Sequence, residues 1–209
     1  MNRAENPAQT TSPLPGVGAD DTTTASVGRE GKLDRLARQF VRGRESGYAT
    51  LPTRFSAMLR RMNPERPGSA MNAIMAALVT ADVVPRSDDD LRRWAAVLNL
   101  LAILSGTGGT LPHGQSRQST GRRLHEAGYS EQRLARLLTA RGPAVTDQVR
   151  RAARFLATAR GERGPIDLRP LVDLLRHESH DDARTEAARL RIARDYYGAA
   201  HQTAGAGES

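Results

Sequence analysis

The 209-residue chain contains no cysteine, which excludes disulfide bonds, cysteine-ligated metal sites and thiol nucleophiles. Aromatic residues make up only 4% of the chain, so few side chains are available for stacking on nucleic-acid bases. The longest apolar stretch, residues 94–104, is interrupted by Asn99 and is too short to span a bilayer. The first residues lack both the basic and the apolar region of a secretory signal. We therefore expect a soluble, cytoplasmic protein with no membrane association.

Lysine is nearly absent as well, because Lys32 is the only lysine among the 31 basic residues. The basic residues outnumber the 23 acidic ones, which gives a net charge of +8, and the excess lies within residues 29–197. A guanidinium group matches the geometry of phosphate oxygens, so the composition favours a polyanionic partner, nucleic acid before membrane. A GC-rich coding sequence would also raise the arginine-to-lysine ratio, but it would not explain the net charge.

Apolar residues recur at helical spacing through residues 29–197, and no stretch alternates with a period of two. This pattern predicts an all-α protein. The predicted helices cover residues 30–42, 53 to about 63, 70–82, 88–104, 119–127, 131–140, 143–160, 168–176 and 182–197. Ser87, Ser130 and Asp167 are predicted N-caps, and Thr53 is a further candidate.

The glycine-rich stretch 105–118 interrupts the helical pattern and is the best linker candidate. It predicts two small helical bundles joined by a short linker, an N-terminal one at 29–110 and a basic C-terminal one at 111–197. Residues 1–28 and 198–209 have almost no periodic apolar content, so we expect a disordered extension and a disordered tail.

Arginine is concentrated between Gln115 and Arg163, where eleven arginines face only four acidic residues. In the predicted helix 143–160, three of them share the face opposite the apolar residues. Like charges on one face repel each other unless a polyanion neutralises them, and phosphate contacts gain affinity by releasing counterions. The alternative is a solvated helix face with an Asp147–Arg151 pair. Because aromatics are few, we expect contacts to the phosphate backbone with weak sequence preference. The candidate binding residues of this region are Arg122, Arg123, Arg133, Arg136, Arg150, Arg151 and Arg154.

Residues 121–140 also have the outline of a helix-turn-helix, with a turn at Gly128 and a second helix that begins near Ser130. Arg133 and Arg136 would then lie on the helix that enters a DNA groove. The alternative function is therefore a DNA-binding transcriptional regulator, although an ordinary helical hairpin gives the same pattern.

Signals for catalysis are weak. The His177–Asp182 segment is rich in metal-ligating residue types but lacks a zinc-binding spacing, and it lies where one predicted helix ends and the next begins. The glycine-rich stretch lacks the Lys-Ser/Thr of a phosphate-binding loop and follows a helix instead of a strand. We expect no enzymatic activity, no cofactor and no metal site.

Several short motifs, taken in their order, resemble the CasB family, the small subunit of the type I-E CRISPR Cascade surveillance complex. The resemblance covers about residues 29–197. The motifs are Met58-Leu59-Arg60-Arg61, Ser119–Leu124, Ser130-Glu131 with Arg133 and Leu137-Leu138, Val149-Arg150-Arg151 with Leu156, Ile166-Asp167 with Leu171 and Asp173-Leu174-Leu175, and Ala193-Arg194-Asp195-Tyr196-Tyr197.

This resemblance implies an all-helical, non-catalytic subunit. Two copies would lie beside the guide RNA and the other Cascade subunits, and their basic faces would hold the guide–target duplex and the displaced DNA strand. It also adds Arg60 and Arg61, by position in the first motif, to the candidate nucleic-acid-binding residues.

Overall fold

The computed structural model describes residues 31–41, 50–106, 112–114, 118–159 and 165–206. Over these ranges the chain forms α-helices and no β-strand, which confirms the predicted all-α fold. The helices are α1 (Lys32–Arg38), α2 (Thr53–Arg61), α3 (Met71–Thr80), α4 (Asp88–Ser105), α5 (Thr120–Glu126), α6 (Glu131–Thr139), α7 (Pro143–Thr158), α8 (Arg169–His177) and α9 (Asp182–Ala206). The predicted extension 1–28 and most of the predicted linker lie outside the described residues.

The helix ends follow local side-chain chemistry in some places and depart from it in others. Ser87 caps α4 as predicted, because its hydroxyl accepts the Asp90 N–H at 3.1 Å. The sequence predicts Asp167 as the N-cap of α8, but Leu168 occupies that position, and the Asp167 carboxylate accepts the Arg169 N–H at 3.1 Å. Ser130 lies at the N-cap position of α6 as predicted, although its side chain makes no capping hydrogen bond. The predicted Thr53 cap is wrong, because Thr53 is the first residue of α2.

The last helix is longer than its apolar pattern indicates. Helix α9 continues through Ala206, whereas the sequence predicts an end at Tyr197 and a disordered tail from Gly198. The prediction is therefore corrected for residues 198–206. Ala199 in the first turn beyond Tyr197 is buried, and growth of a helix that already exists needs no further nucleation.

Helix α4 lies at the centre of the core. Its residues from Trp94 to Ile103 are all buried, and it packs against α2, α7 and α8. Asn99, the polar residue in this apolar run, donates from Nδ2 to the Leu59 carbonyl at 2.6 Å and so connects α4 to α2. The buried apolar residues form one continuous cluster. The division into two bundles near residue 110 stays a prediction.

Helices α5 and α9 approach each other closely at Gly121. A Cβ atom on Gly121 would lie 2.2 Å from the Ile192 carbonyl oxygen and 2.7 Å from the Tyr196 nitrogen. Only glycine allows the two backbones to come this close. The Tyr196 hydroxyl donates to the Tyr129 carbonyl, which fixes the turn between α5 and α6 against α9.

Candidate nucleic-acid interface

The candidate interface lies where α6 and α7 meet. Both helices are strongly amphipathic, with Leu134 and Leu137 of α6 and Val149 and Leu156 of α7 buried in the core. Because each helix buries one stripe, its arginines lie on the opposite side or at the border of the buried face. Pro143 in the first turn of α7 and Gly142 with a φ of 54° form the tight connection between the two helices.

Between these helices is a cleft of about 290 Å³, which we call the arginine cleft. Its residues come from α6, α7 and the turn before α6. They are Tyr129, Arg133, Arg136, Gln148, Arg151 and Phe155. The fold thus brings three of the predicted arginines together at one place.

One wall of the arginine cleft is aromatic. The Arg133 guanidinium carbon lies 5.5 Å from the centroid of the Phe155 ring, within the range of a cation–π interaction. The Tyr129 and Phe155 rings meet edge to face, with their centroids 5.1 Å apart. Phe155 is half-buried and Tyr129 is buried, so the cleft has an apolar base beneath its charged rim.

The arginine cleft has an uncompensated positive charge. Among the described residues, no carboxylate lines it. In the described ranges, the side chains of Arg133, Arg136 and Arg151 form no ion pair. In contrast, Arg150 of α7 and Arg122 of α5 each pair with a carboxylate. Burial raises the pKa of Tyr129, and the charges of Arg133, Arg151 and Arg136 oppose that rise because all three lie close to its ring. The cleft therefore has the electrostatics of an anion site.

The three arginines of α7, which the sequence predicts to share one face, do not form one continuous basic surface. Arg150 pairs with Asp147 at 2.7 Å and lies beside Asn99 and Leu100 of α4, away from the arginine cleft. The Asp147–Arg151 pair of the alternative interpretation is not formed among the described residues, because Asp147 bonds Arg150 instead. Arg154 is exposed and forms no ion pair with any described residue. At about 100° per residue, Arg154 lies between Arg150 and Arg151 on the helix surface, and it is not among the described residues that line the cleft.

The remaining candidates are scattered over the molecule. Arg122 is exposed on α5 and pairs with Glu126 at 2.8 Å. Arg123, its neighbour, is only 6% exposed, so the structure corrects its assignment to a basic surface. Side chains of consecutive helix residues point in directions about 100° apart, so Arg123 points into the interior while Arg122 is exposed.

The two arginines of the first family motif, Arg60 and Arg61, also have different surroundings. Arg60 is half-buried and donates from Nε to the Ala102 carbonyl at 3.0 Å and from Nη2 to the Gly106 carbonyl, at the carboxyl end of α4. It is thus engaged in joining α2 to α4. A guanidinium at a helix carboxyl terminus satisfies carbonyl oxygens that lack partners within the helix. Arg61 is exposed in the last turn of α2, away from the arginine cleft.

Sequence reasoning missed Tyr129, Gln148 and Phe155 as site residues. Gln148, Arg151 and Phe155 are spaced by three and four residues and therefore share one side of α7. That spacing is visible in the sequence, but Phe155 could equally have been an ordinary core residue. Only its packing beside Arg133 of α6 identifies it as part of a cleft.

The helix-turn-helix outline is present, with α5, a turn at Gly128 (φ 79°) and α6. Arg133 of α6, however, lies over Phe155 of α7 instead of projecting away from the fold.

Among the described side chains, no group of three or more histidine and acidic residues could hold a metal ion. In the His177–Asp182 segment, the His177 and His180 rings face each other with centroids 5.4 Å apart. In the parts of the chain with described structure, no helix is both long enough and apolar enough to cross a membrane.

Comparison with known proteins agrees with the resemblance found in the sequence. The family described as CRISPR-associated protein Cse2 matches residues 29–197. No curated protein and no solved structure matches the chain. The match includes the central helix and every helix of the candidate interface. The chain therefore belongs to the Cse2 family, also called CasB, which forms the small subunit of the type I-E Cascade complex.

Proposed function

We propose that this small subunit binds nucleic acid and stabilises the R-loop that forms when the guide RNA pairs with target DNA, as part of antiviral defence in the cytoplasm. It would act without catalysis, beside a second copy of itself and the other Cascade subunits. Its basic helix faces would hold the guide–target duplex and the displaced DNA strand. The observation that supports the proposal is the set of arginines at the arginine cleft without carboxylate partners among the described residues.

A small number of phosphate contacts can determine the outcome of R-loop formation. The guide–target duplex is about as stable as the DNA duplex that it replaces, so strand exchange is nearly balanced in free energy. Each arginine that neutralises a phosphate releases a condensed counterion and adds favourable free energy. A subunit that contributes such contacts along the open strands would shift the balance toward the R-loop.

The structure changes which residues we assign to this role. Arg133, Arg136, Arg151 and Arg154 form the main proposed surface, and Arg61 and Arg122 are exposed cations elsewhere. Arg150 is partly neutralised by Asp147, so we expect a smaller contribution from it. We no longer include Arg60 and Arg123, because the first bonds the end of α4 and the second is buried.

The proposal is tested with a double variant, Arg151→Ala with Arg154→Ala, in a reconstituted Cascade complex. The matched control, Arg92→Ala with Arg184→Ala, removes the same charge from exposed arginines that pair with Asp89 and Asp173. R-loop formation on supercoiled target DNA is measured over a range of salt concentrations. We expect the cleft variant to form the R-loop more weakly, with a salt slope smaller by about 1.5, since two phosphate contacts are lost. The control should stay close to wild type.

Size-exclusion chromatography of the complex shows whether each variant is incorporated. Equal R-loop formation by fully assembled wild-type and cleft-variant complexes would contradict the proposal.

The regulator alternative is tested by competition between selected and random DNA duplexes for the free chain. A site-specific regulator would discriminate by about 1–3 kcal/mol per wrong base pair. We expect random duplex to compete as well as any selected one.

A further inference from the structure

The arginine cleft combines a partly exposed aromatic ring with unpaired cations, and this combination is more specific than a basic surface. Phe155 lines the cleft and is half-buried, so part of its ring is accessible from the cleft. Arg133, Arg136 and Arg151 surround the same space. A phosphate backbone alone would need the arginines but would gain nothing from the ring. Base stacking on an aromatic side chain, in contrast, is worth about 1–3 kcal/mol per base.

We propose that the arginine cleft binds one unpaired nucleotide of a nucleic-acid strand. The base would pack against Phe155, and Arg133, Arg136 and Arg151 would bind the phosphates on either side of it. This inference rests on the proposed nucleic-acid binding and adds to it a preference for a single-stranded segment over a paired one.

The dimensions and chemistry of the arginine cleft fit such a ligand. Its volume of about 290 Å³ lies just below the range for small-ligand pockets, about 300–1,000 Å³, so it suits one nucleotide and not several. The Arg133 guanidinium over Phe155 offers a second planar surface for a base. Gln148 supplies an amide with donors and an acceptor at the wall, where a base edge could bond.

A duplex lacks what the arginine cleft would bind. Its phosphates are on the outside, where they can reach exposed cations such as Arg154, but its bases are stacked inside the helix. A base can enter an aromatic-lined pocket only from a single strand or after it has been turned out of the stack. The cleft should therefore bind a strand with unpaired bases better than a duplex. The exposed arginines around it should bind the phosphates of both equally.

The test measures binding of the full-length chain to three labelled oligomers by fluorescence anisotropy. Each oligomer has about 12 nucleotides, within the range of one single-strand site. One is oligothymidylate, one is an abasic strand with the same backbone, and one is a duplex. Oligouridylate is added to distinguish a DNA strand from an RNA strand, since both have the nucleotide chemistry proposed here.

The test variant is Phe155→Leu, which keeps the apolar volume at the core but removes the ring. The matched control is Phe55→Leu in α2, because Phe55 is likewise half-buried with the Arg54 guanidinium carbon 5.1 Å from its ring centroid, yet lies outside the cleft. Thermal unfolding of both variants shows that the fold is retained. If Phe155→Leu unfolds early, Gln148→Ala replaces it, because Gln148 would bond only the base edge.

We expect Phe155→Leu to weaken binding of oligothymidylate or oligouridylate by about 5- to 100-fold, as the loss of one stacked base predicts. Binding of the abasic strand and the duplex should be unchanged, and Phe55→Leu should match wild type on every oligomer. An equal loss on all oligomers, or no loss on any, would overturn the single-nucleotide cleft while leaving backbone binding intact. Failure of the wild-type chain to bind any oligomer at low salt would instead overturn the proposed nucleic-acid binding and this inference with it.

Discussion

Arg189 and Glu178 form an ion pair of 2.8 Å in which both side chains are nearly buried, with exposures of 8% and 13%. Each partner also bonds the connection between α6 and α7. Arg189 donates to the Ala140 carbonyl at 2.9 Å, and Glu178 accepts the Gly142 N–H at 3.0 Å. Glu178, directly after α8, and Arg189 of α9 thus position the two helices of the arginine cleft without lining it.

Breaking this pair should destabilise the protein strongly. We expect Arg189→Met to lower the free energy of unfolding by about 3–5 kcal/mol, because Glu178 is left buried without its cation. The double variant Arg189→Met with Glu178→Gln removes both charges and keeps an acceptor for the Gly142 N–H, so it should lose less. Urea unfolding followed by far-UV circular dichroism measures both. A single variant as stable as wild type would show that the pair has no structural role.

Alanine substitutions at two glycines should change the free energy of unfolding in opposite directions, because only one of the glycines lies where α5 and α9 approach closely. Gly121→Ala places a Cβ atom 2.2 Å from the Ile192 carbonyl oxygen, so the helices must separate and the variant should lose about 1–3 kcal/mol. Gly198→Ala in α9 meets no atom within 4 Å and should gain about 0.5–1 kcal/mol, because alanine favours a helix more than glycine does. Thermal unfolding midpoints that shift in the same direction for both variants would contradict this packing.

The stability of the protein should fall as the pH decreases below about 6.5. Burial lowers the pKa of His113, and the Ile166 carbonyl and Asp34 oppose this effect only in part. The folded state therefore resists protonation of His113 while the unfolded state takes up the proton, so stability is full above the unfolded pKa and is lost on acidification. Nδ1 of His113 lies 3.0 Å from the Leu168 N–H, from which only an unprotonated Nδ1 can accept, and 3.0 Å from the Ile166 carbonyl, to which only a protonated Nδ1 can donate.

The variant His113→Asn tests this pH dependence, because asparagine keeps an acceptor but does not titrate. Its stability should change less between pH 7 and pH 5 than that of wild type, in urea unfolding at each pH. His177→Asn is the comparison, since burial and then Arg184 also lower the pKa of His177, but its ring is less deeply buried. An unchanged slope for His113→Asn would show that His113 is not the main acid-sensitive group.

Cleft and non-cleft arginines should differ in their effect on nucleic-acid binding. Arg136→Ala removes a cation without an ion-pair partner among the residues described, so it should weaken single-strand binding and reduce the salt slope by about 0.7. Arg122→Ala removes a cation that Glu126 already partly neutralises at 2.8 Å, so its effect should be smaller. Anisotropy titrations at several salt concentrations measure both slopes, and equal slopes would mean that ion pairing does not decide which arginines bind.

Much of the helical structure could be predicted because its causes are local. Asp88, Asp89 and Asp90 after Ser87 marked the start of α4, and Ser87 does cap that helix. Pro143 suits the first turn of a helix, and α7 begins at this residue. The end of α9 could not be predicted, because residues 198–206 have no periodic apolar pattern, yet the helix continues through Ala206.

The sequence by itself determined that the protein is all-helical, has a large arginine excess and belongs to its family, because periodicity, charge and ordered motifs are properties of the chain. Only the tertiary structure decided which arginines meet. Arg133 and Arg136 of α6 join Arg151 of α7 across a cleft, while Arg150, one residue away, faces α4. Arg123 is buried for the same reason: neighbouring residues on a helix point in directions about 100° apart, and the packing of the helices decides which direction faces solvent.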